Sequence, residues 1–217
     1  MATNMTFSSL LQDLRQYLER GDSATTDPRV FDQLPRLINL AERRIATELK
    51  VQGAINTVET ALIAGQSVYA KPDRWRDTVS INIGTGAGLA KRKQVYARSY
   101  EYLRQYWPDE SLTDTPVFYA DYSTTNWLFA PTPAVDHPVE ISYYQLHELL
   151  DDSRQSNWIT EYAPQLLLYG ALMEASVFLK NDERVQTWQS LYDRTAATLN
   201  GEDLAKILDR NSKRSEA

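Results

Sequence analysis

The residues in this sequence that could bind a phosphate lie in the middle of the chain. Residues 84–88 read GTGAG, and glycine-rich loops expose backbone N–H groups that can cradle a phosphate. The segment lacks the Lys and Ser/Thr that a P-loop needs, and the residues after it are typical of a strand rather than a helix. Lys91, Arg92 and Lys93 follow it, but the acidic balance of the chain favours a solvated strand end. A hairpin turn is the better interpretation of these glycines.

A second group of candidates consists of carboxylates and imidazoles. Asp151 and Asp152 are adjacent, but Ser153 follows them and no His or Glu lies at ligand spacing, which favours the start of a loop. His137 and His147 fall at opposite ends of one predicted strand. No HExxH motif and no Ser-His-Asp set can be assembled, so we predict no catalytic, metal-binding or cofactor-binding residue. A spatial pair of glycosidase carboxylates is left open, because such pairs need not be close in sequence.

Aromatic side chains form a third group. The chain has 13 Tyr and 5 Trp, which fill strands and cores but are also enriched where proteins meet. Tyr119, Tyr122, Trp127, Tyr143 and Tyr144 could stack on sugars, so a carbohydrate-binding or hydrolytic β-domain protein is one alternative. Strand alternation assigns Tyr119 and Tyr143 to one face, and Tyr122 and Tyr144 to the other. This division argues against one continuous sugar platform.

The composition is that of a folded protein with one large domain or two small ones. Of 217 residues, 42% are hydrophobic and 24% are charged, which is ordinary for a globular chain. The absence of cysteine excludes disulfides and thiolate metal sites, and suits synthesis in a reducing cytoplasm. The net charge of −6 disfavours tight, non-specific binding of nucleic acid, which normally needs a basic stripe.

The hydropathy pattern predicts neither a leader nor a membrane span. The N-terminus becomes charged after a few apolar positions, unlike a signal peptide. No run of about 20 apolar residues exists, which is the length that a transmembrane helix needs.

The stretch Trp158–Leu179 is predicted to contain the central helix of the chain, beginning at Pro164. Apolar residues cover almost its whole circumference, and a helix of this kind needs neighbours on most sides. It is too short to cross a membrane and carries Glu174 near its middle. We expect one stripe to pack within the subunit and a second stripe to contact a neighbouring subunit. The second stripe consists of Leu166, Tyr169, Met173 and Val177.

Helical patterns lie at both ends of the chain and strand patterns lie in its middle. One amphipathic helix is predicted over residues 6–20, and another begins at Pro35 and ends near Leu49. Residues 52–148 read as about seven short strands separated by turns, which is typical of a small sandwich or barrel. Helices return after this region, and Asn200–Gly201 is predicted to stop or kink the last of them.

The predicted fold class is therefore α+β, with a bundle of about four helices built from both chain ends and an inserted β-sandwich or barrel-like domain. The predicted limits are 1–51 and 150–209 for the bundle, 52–149 for the β-domain and 210–217 for a flexible tail. Just before the tail, one last amphipathic turn is formed by Leu204, Ile207 and Leu208.

Five segments spread along residues 30–195 resemble the head-to-tail adaptor proteins of short-tailed bacteriophages, in particular the tail tubular protein A type. Each segment alone consists mostly of core residues, but their order and spacing are similar to those of the family. The segments are LINLAERRI (Leu37–Ile45), TPVFY (Thr115–Tyr119), LFAPTP (Leu128–Pro133), ISYY (Ile141–Tyr144) and PQLLLYGALMEA (Pro164–Ala175).

The resemblance implies a structural protein of the virion and not an enzyme, with no cofactor. Family members form a homo-oligomeric ring, a dodecamer, that docks under the portal protein and extends the DNA channel. The ring carries the tail nozzle and tail fibre proteins, and DNA passes through it without specific binding. Another neck or tail-completion protein of the same tail is the nearest alternative. Position and amphipathicity then predict that Leu204, Ile207 and Leu208 dock on the portal.

Overall fold

The structure is a computed structural model that describes residues 4–50, 52–86 and 88–212, with only the backbone at Gln52, Gly86, Asp182 and residues 202–212. The chain divides into two compact units. The helical unit comprises Met1–Ala54 and Leu146–Ala217, and the β unit comprises Ile55–Gln145. The mixed α+β class with a barrel-like β portion is confirmed.

Six α-helices lie in the described part of the chain, five in the helical unit and one in the β unit. Local sequence explains where several begin, because Thr6 and Asn157 each accept an N-terminal backbone N–H and form a capping box. The helices are α1 (Phe7–Leu18), α2 (Pro28–Glu48), α3 (Tyr100–Tyr106), α4 (Trp158–Tyr162), α5 (Pro164–Phe178) and α6 (Asp182–Ser212).

Helix α5 lies at the centre of the helical unit, as its apolar circumference predicts. It packs against α1, α2, α4 and α6. Gly170 allows the close approach, because a Cβ there would lie 3.3 Å from Cβ of Ala41 and 3.4 Å from the ring of Tyr192. The fully buried α5 side chains of this core are Leu166, Leu167, Ala171, Leu172 and Ala175.

Two predicted helix limits are wrong. Helix α2 begins at Pro28, and Pro35 lies inside it; the cost of one missing backbone hydrogen bond is offset by the burial of Leu34 and Ile38 on either side. Helix α6 continues without a stop through Gly201 as far as Ser212. The predicted tail therefore begins with three helical residues, and residues 213–217 lie outside the described part.

The β unit is built on a curled, seven-stranded sheet that forms a half-barrel. The strand order is β1-β9-β3-β4-β6-β7-β2, and a separate parallel pair joins β5 and β8. Among the described residues the strands are β1 (Ile55–Leu62), β2 (Val68–Ala70), β3 (Trp75–Gly86), β4 (Gly88–Ala97), β5 (Thr113–Asp114), β6 (Phe118–Asp121), β7 (Asn126–Ala130), β8 (Thr132–Pro133) and β9 (His137–Gln145).

Alternating residues of the sheet form the core of the β unit. Ile81, Ile83, Val95, Val139 and Ile141 are at most 4% exposed and lie in one cluster, as the period of two predicts. The glycine-rich segment lies at the β3–β4 hairpin, where Gly86 pairs with Gly88, so the hairpin interpretation is confirmed. The predicted break at Pro131–Pro133 is only partial, because Thr132 and Pro133 pair with β5.

Candidate docking surfaces

The titratable side chains singled out in the sequence do not form a catalytic or metal cluster. His137 is 8% exposed, and its Nδ1 lies 3.3 Å from the carbonyl oxygen of Gly84. The ring of His147 stacks on Trp158 with centroids 5.8 Å apart. In the part of the chain that the structure describes, no group of three or more His, Asp or Glu residues could hold a metal ion.

Asp151 starts a tight loop, as the sequence predicts. Its Oδ1 accepts hydrogen bonds from the backbone N–H groups of Ser153 and Arg154, at 2.8 and 2.7 Å, and from the Ser153 hydroxyl. These bonds, led by the Ser153 hydroxyl, lower the pKa of Asp151 from its usual value. The carboxylate therefore stabilises the loop between the β unit and α4.

The five aromatic residues of the carbohydrate alternative do not form a platform. Tyr119, Trp127, Tyr143 and Tyr144 are between 0 and 8% exposed, and the first three lie in the core of the β unit. Burial raises the pKa of Tyr119 to about 12, and the nearby Asp121 carboxylate adds to the rise. Stacking on a sugar requires an accessible ring face, which these four side chains do not offer.

The predicted subunit-interface residues differ in their exposure within one chain. Leu166 and Met173 are buried, at 0 and 3% exposed. Tyr169 is half-buried, and its ring stacks on Trp188 with centroids 6.3 Å apart. Val177 is 59% exposed. Of these four, Val177 has the largest exposed fraction, and the interface role of the stripe stays a prediction.

A cleft lies where the first turn of α5 faces the middle of α6. Its volume is about 500 Å³. One side of the cleft is lined by Tyr162, which is 66% exposed, and by Tyr169 of α5. The other side is lined by Leu191, Arg194 and Leu199 of α6. An open cleft with exposed aromatic and arginine side chains has the composition of a protein-docking surface.

Helix α6 is long enough to extend past this cleft. It has 31 residues and α5 has 15, which correspond to lengths of about 46 and 22 Å. Because Leu199 lines the cleft together with Pro164, residues 200–212 continue about 20 Å beyond the start of α5. Leu204, Ile207 and Leu208 belong to this extension, but their side chains lie outside the described residues, so their predicted docking role remains untested.

Glu42 connects α2 to the segment that leads into α4. Its side chain is 1% exposed and accepts hydrogen bonds from the Leu150 N–H at 3.0 Å and from Nδ2 of Asn157 at 2.6 Å. Desolvation by burial raises the pKa of Glu42, and the two donated hydrogen bonds partly oppose this rise. Asn157 also caps α4 through the N–H groups of Ile159 and Thr160. This carboxylate therefore helps to position α4 and the cleft beside it.

The β unit has an exposed aromatic surface at α3 that the sequence reasoning missed. Tyr100, Tyr102 and Tyr106 are 38, 42 and 44% exposed. The rings of Tyr102 and Tyr106 stack in nearly parallel planes with centroids 6.1 Å apart, and Tyr106 meets Phe118 edge-on at 4.9 Å. These contacts hold the exposed rings in fixed positions.

Two arginines lie over these rings. The guanidinium carbon of Arg98 is 5.7 Å from the Tyr102 ring centroid, and that of Arg104 is 5.2 Å from the Tyr100 ring centroid. Arg104 also donates to the Tyr100 hydroxyl at 3.0 Å. We call Arg98, Tyr100, Tyr102, Arg104 and Tyr106 the Tyr–Arg patch. Its signal in the sequence is the interleaved string YARSYEYLRQYW at residues 96–107.

The exposed surfaces described above are rich in tyrosine and arginine, which are enriched at protein–protein interfaces. Comparison with protein families matches residues 5–214 to the SU10 adaptor protein. The chain belongs to the SU10 adaptor protein family, which confirms the resemblance to phage head–tail adaptors. The tail tubular protein A type stays a prediction.

No curated protein matches the chain, so the similarity is shown for the family and not for an individual relative.

Among the described residues, no helix has both the length and the apolar character that crossing a membrane would require.

Proposed function

We propose that this chain is a structural protein of the phage head–tail junction. Copies of it form a closed dodecameric ring that docks under the portal protein, extends the DNA channel and carries the tail nozzle and tail fibre proteins. The observation that carries the proposal is the family match over residues 5–214. The role of the chain is assembly within the virion, and it requires no reaction to be catalysed.

The surfaces of the chain support the ring. A head-to-tail ring uses heterologous contacts, in which two different patches of each subunit meet. The Tyr–Arg patch on the β unit and the cleft surface around Tyr162 on the helical unit are two such patches of different composition. The net charge of −6 disfavours tight contact with DNA, so a channel through the ring would let DNA pass without trapping it.

The extension of α6 beyond the cleft supports docking on the portal. A helix that continues beyond the helix it packs against can offer an apolar stripe to a partner, and amphipathic helices commonly bind in grooves. Leu204, Ile207 and Leu208 have the three- and four-residue spacing of one helical face. We assign the portal contact to these three residues. The predicted subunit contact of the stripe Leu166, Tyr169, Met173 and Val177 is proposed to be made by the exposed Val177, while the buried Leu166 and Met173 hold α5 in place from within the subunit.

The proposal is tested by imaging the purified chain, and measuring the mass of its assemblies, with and without the portal protein of the same phage. A ring that forms alone or on the portal is the expected result, seen by negative-stain microscopy and mass photometry. A chain that remains monomeric and does not bind to the portal protein would refute the proposal. A ring that attaches elsewhere on the tail would favour the neck or tail-completion alternative.

Docking by the α6 extension is tested by the substitution of Leu204, Ile207 and Leu208 with serine. The expected result is at least a tenfold loss of affinity for portals, while the thermal unfolding of the chain is unchanged. The matched control replaces Asp203 with asparagine and Lys206 with glutamine, which alters the polar side of the same turns. Equal portal binding by both variants contradicts the docking role.

A further inference from the structure

The outer edge of β1 has no strand partner among the described residues. β1 pairs with β9 through eight consecutive residue pairs, from Ile55 with Tyr144 to Leu62 with His137, and the register has no shift. β1 is also a terminal strand in the order of the sheet. A terminal strand exposes a row of backbone N–H and C=O groups that can hydrogen bond to a strand of another chain.

The hydrogen bonds of β1 show which residues face outward. The N–H of Thr57 donates to Oδ1 of Asn56 at 2.8 Å and therefore does not donate to β9. Backbone groups of successive residues alternate in direction in an antiparallel pair, so Glu59 and Ala61 face outward as Thr57 does. The side chains of Glu59 and Ala61 are exposed. The outward backbone groups of these two residues are positioned for a further strand.

The composition of β1 does not protect this edge. Natural proteins commonly protect edges with lysines, prolines, bulges or very short strands. β1 has eight residues and reads INTVETAL, with one acid, Glu59, and neither a basic residue nor a proline. Its pairing with β9 contains no bulge. A long, regular edge without these devices is available to pair with a strand of another chain.

The first part of β4 is a second open edge of the same sheet. β4 pairs with β3 on one side. On its other side β4 pairs with β6, and among the described residues this pairing involves only Tyr96 and Ala97 of β4. Residues 88–94 include Lys91, Arg92 and Lys93 and no acid, and these three side chains are exposed. Arg92 already donates to Glu140 of β9 at 2.9 Å, so Lys91 and Lys93 are the cations that this edge offers to a partner. Without the Arg92–Glu140 pair the two edges carry formal charges of −1 and +2, so β1 with β4 is attractive whereas β4 with β4 is repulsive.

We propose that β1 of one copy of this chain adds as a strand to the open part of β4 of a second copy. The sheet then continues from subunit to subunit through a heterologous contact, which is the kind of contact that closes a ring. This inference rests on the proposed homo-oligomer and names the strands that join it.

Cysteine cross-linking tests the pairing directly, since the chain has no cysteine of its own. One cysteine replaces Thr57, Glu59 or Ala61 in β1, and another replaces Ala90 or Gln94 in β4. All five lie on the outer face of the sheet, so the six combinations sample neighbouring registers of both strand directions. Assembled chains are oxidised and run on a non-reducing gel.

We expect at least one combination to give a ladder of dimers, trimers and larger species, and each single-cysteine variant to give at most a faint dimer. Strong dimers from the single β1 variants indicate that β1 pairs with β1 and overturn the proposal. Intact oligomers without any ladder overturn the strand pairing and leave the ring in place. The absence of any oligomer of the unchanged chain, alone and on portals, overturns both.

Proline at position 61 provides a second, independent test. Ala61→Pro removes an outward N–H and leaves the ladder with β9 unchanged, because proline is tolerated on the open side of an edge strand. We expect unchanged circular dichroism and thermal unfolding, but a rise of at least tenfold in the concentration needed for half-assembly. Ala61→Val is the matched control and should assemble normally. Normal assembly of the proline variant overturns the proposal.

Discussion

Replacement of Glu42 by alanine should destabilise the helical unit markedly. The substitution removes the acceptor of two hydrogen bonds, from the Leu150 N–H and from Nδ2 of Asn157, in a site that is 1% exposed. A buried donor that loses its partner costs about 1–3 kcal/mol. Nδ2 of Asn157 retains a weaker bond of 3.3 Å to the Glu148 carbonyl, and removal of a desolvated charge offsets part of the loss. We expect a net loss of about 2–4 kcal/mol.

Scanning calorimetry measures this loss. For a chain of this size, each kcal/mol of lost stability lowers the midpoint of thermal unfolding by about 2–4 °C. The unfolding midpoint of Glu42→Ala should therefore lie about 5–15 °C below that of the unchanged chain. The matched control is Asp32→Asn, an exposed acid on the same helix α2, which should change the unfolding free energy by less than about 0.5 kcal/mol. Equal midpoints for the two variants would refute the structural role of Glu42.

The pH dependence gives a second measurement on the same residue. Burial raises the pKa of Glu42 in the folded chain above its value in the unfolded chain, so the folded state holds the proton more tightly. The stabilisation that this residue contributes is therefore complete below about pH 4.3, which is the usual pKa of Glu. It is lost as the pH rises through the raised pKa of the folded state. The stability of the unchanged chain relative to Glu42→Gln should accordingly fall from pH 4 towards pH 7. A difference that grows over this range contradicts the raised pKa.

Three further predictions concern packing and domain limits. Gly53→Ala should cost about 2–4 kcal/mol in chemical denaturation, because a Cβ there would lie 1.8 Å from Nε1 of Trp158; an unchanged midpoint contradicts this packing. Tyr192→Phe should cost about 1–2 kcal/mol of unfolding free energy, since the Tyr192 hydroxyl donates to Glu48 at 2.7 Å. A double-mutant cycle with Glu48→Gln that gives a coupling energy of zero would contradict this hydrogen bond. A fragment of residues 52–149 should fold alone with dispersed amide resonances, as the predicted domain limits require, and a collapsed spectrum would count against those limits.

Local pattern was sufficient to predict several elements of the fold. The spacing of apolar residues placed α5 from Pro164, and the structure has that helix at Pro164–Phe178. The cap at Thr6 was also readable, because a side-chain hydroxyl that precedes an amphipathic run can accept a free backbone N–H. These features depend on residues within one or two turns of each other, so the sequence contains all the information they need.

Other features depend on contacts between distant residues. Pro35 reads as a helix start, but buried leucine and isoleucine around it stabilise the helix through that position. Tyr119 and Trp127 read as possible sugar platforms, but the curl of the sheet places them in its core. The Tyr–Arg patch combines α3 with Phe118 of a neighbouring strand, and no local period predicts which of its rings stay exposed.

The sequence alone determined the α+β class, the division into terminal helices and central strands, and the family resemblance, because periodicity and ordered core motifs are properties of the chain itself. The tertiary structure decided which residues are available to partners. Two of the four stripe residues on α5 are buried by their own subunit, while the open edges of β1 and β4 follow from a strand order that no local signal encodes. Exposure is a sum over contacts from distant parts of the chain, and it becomes defined only when those parts pack together.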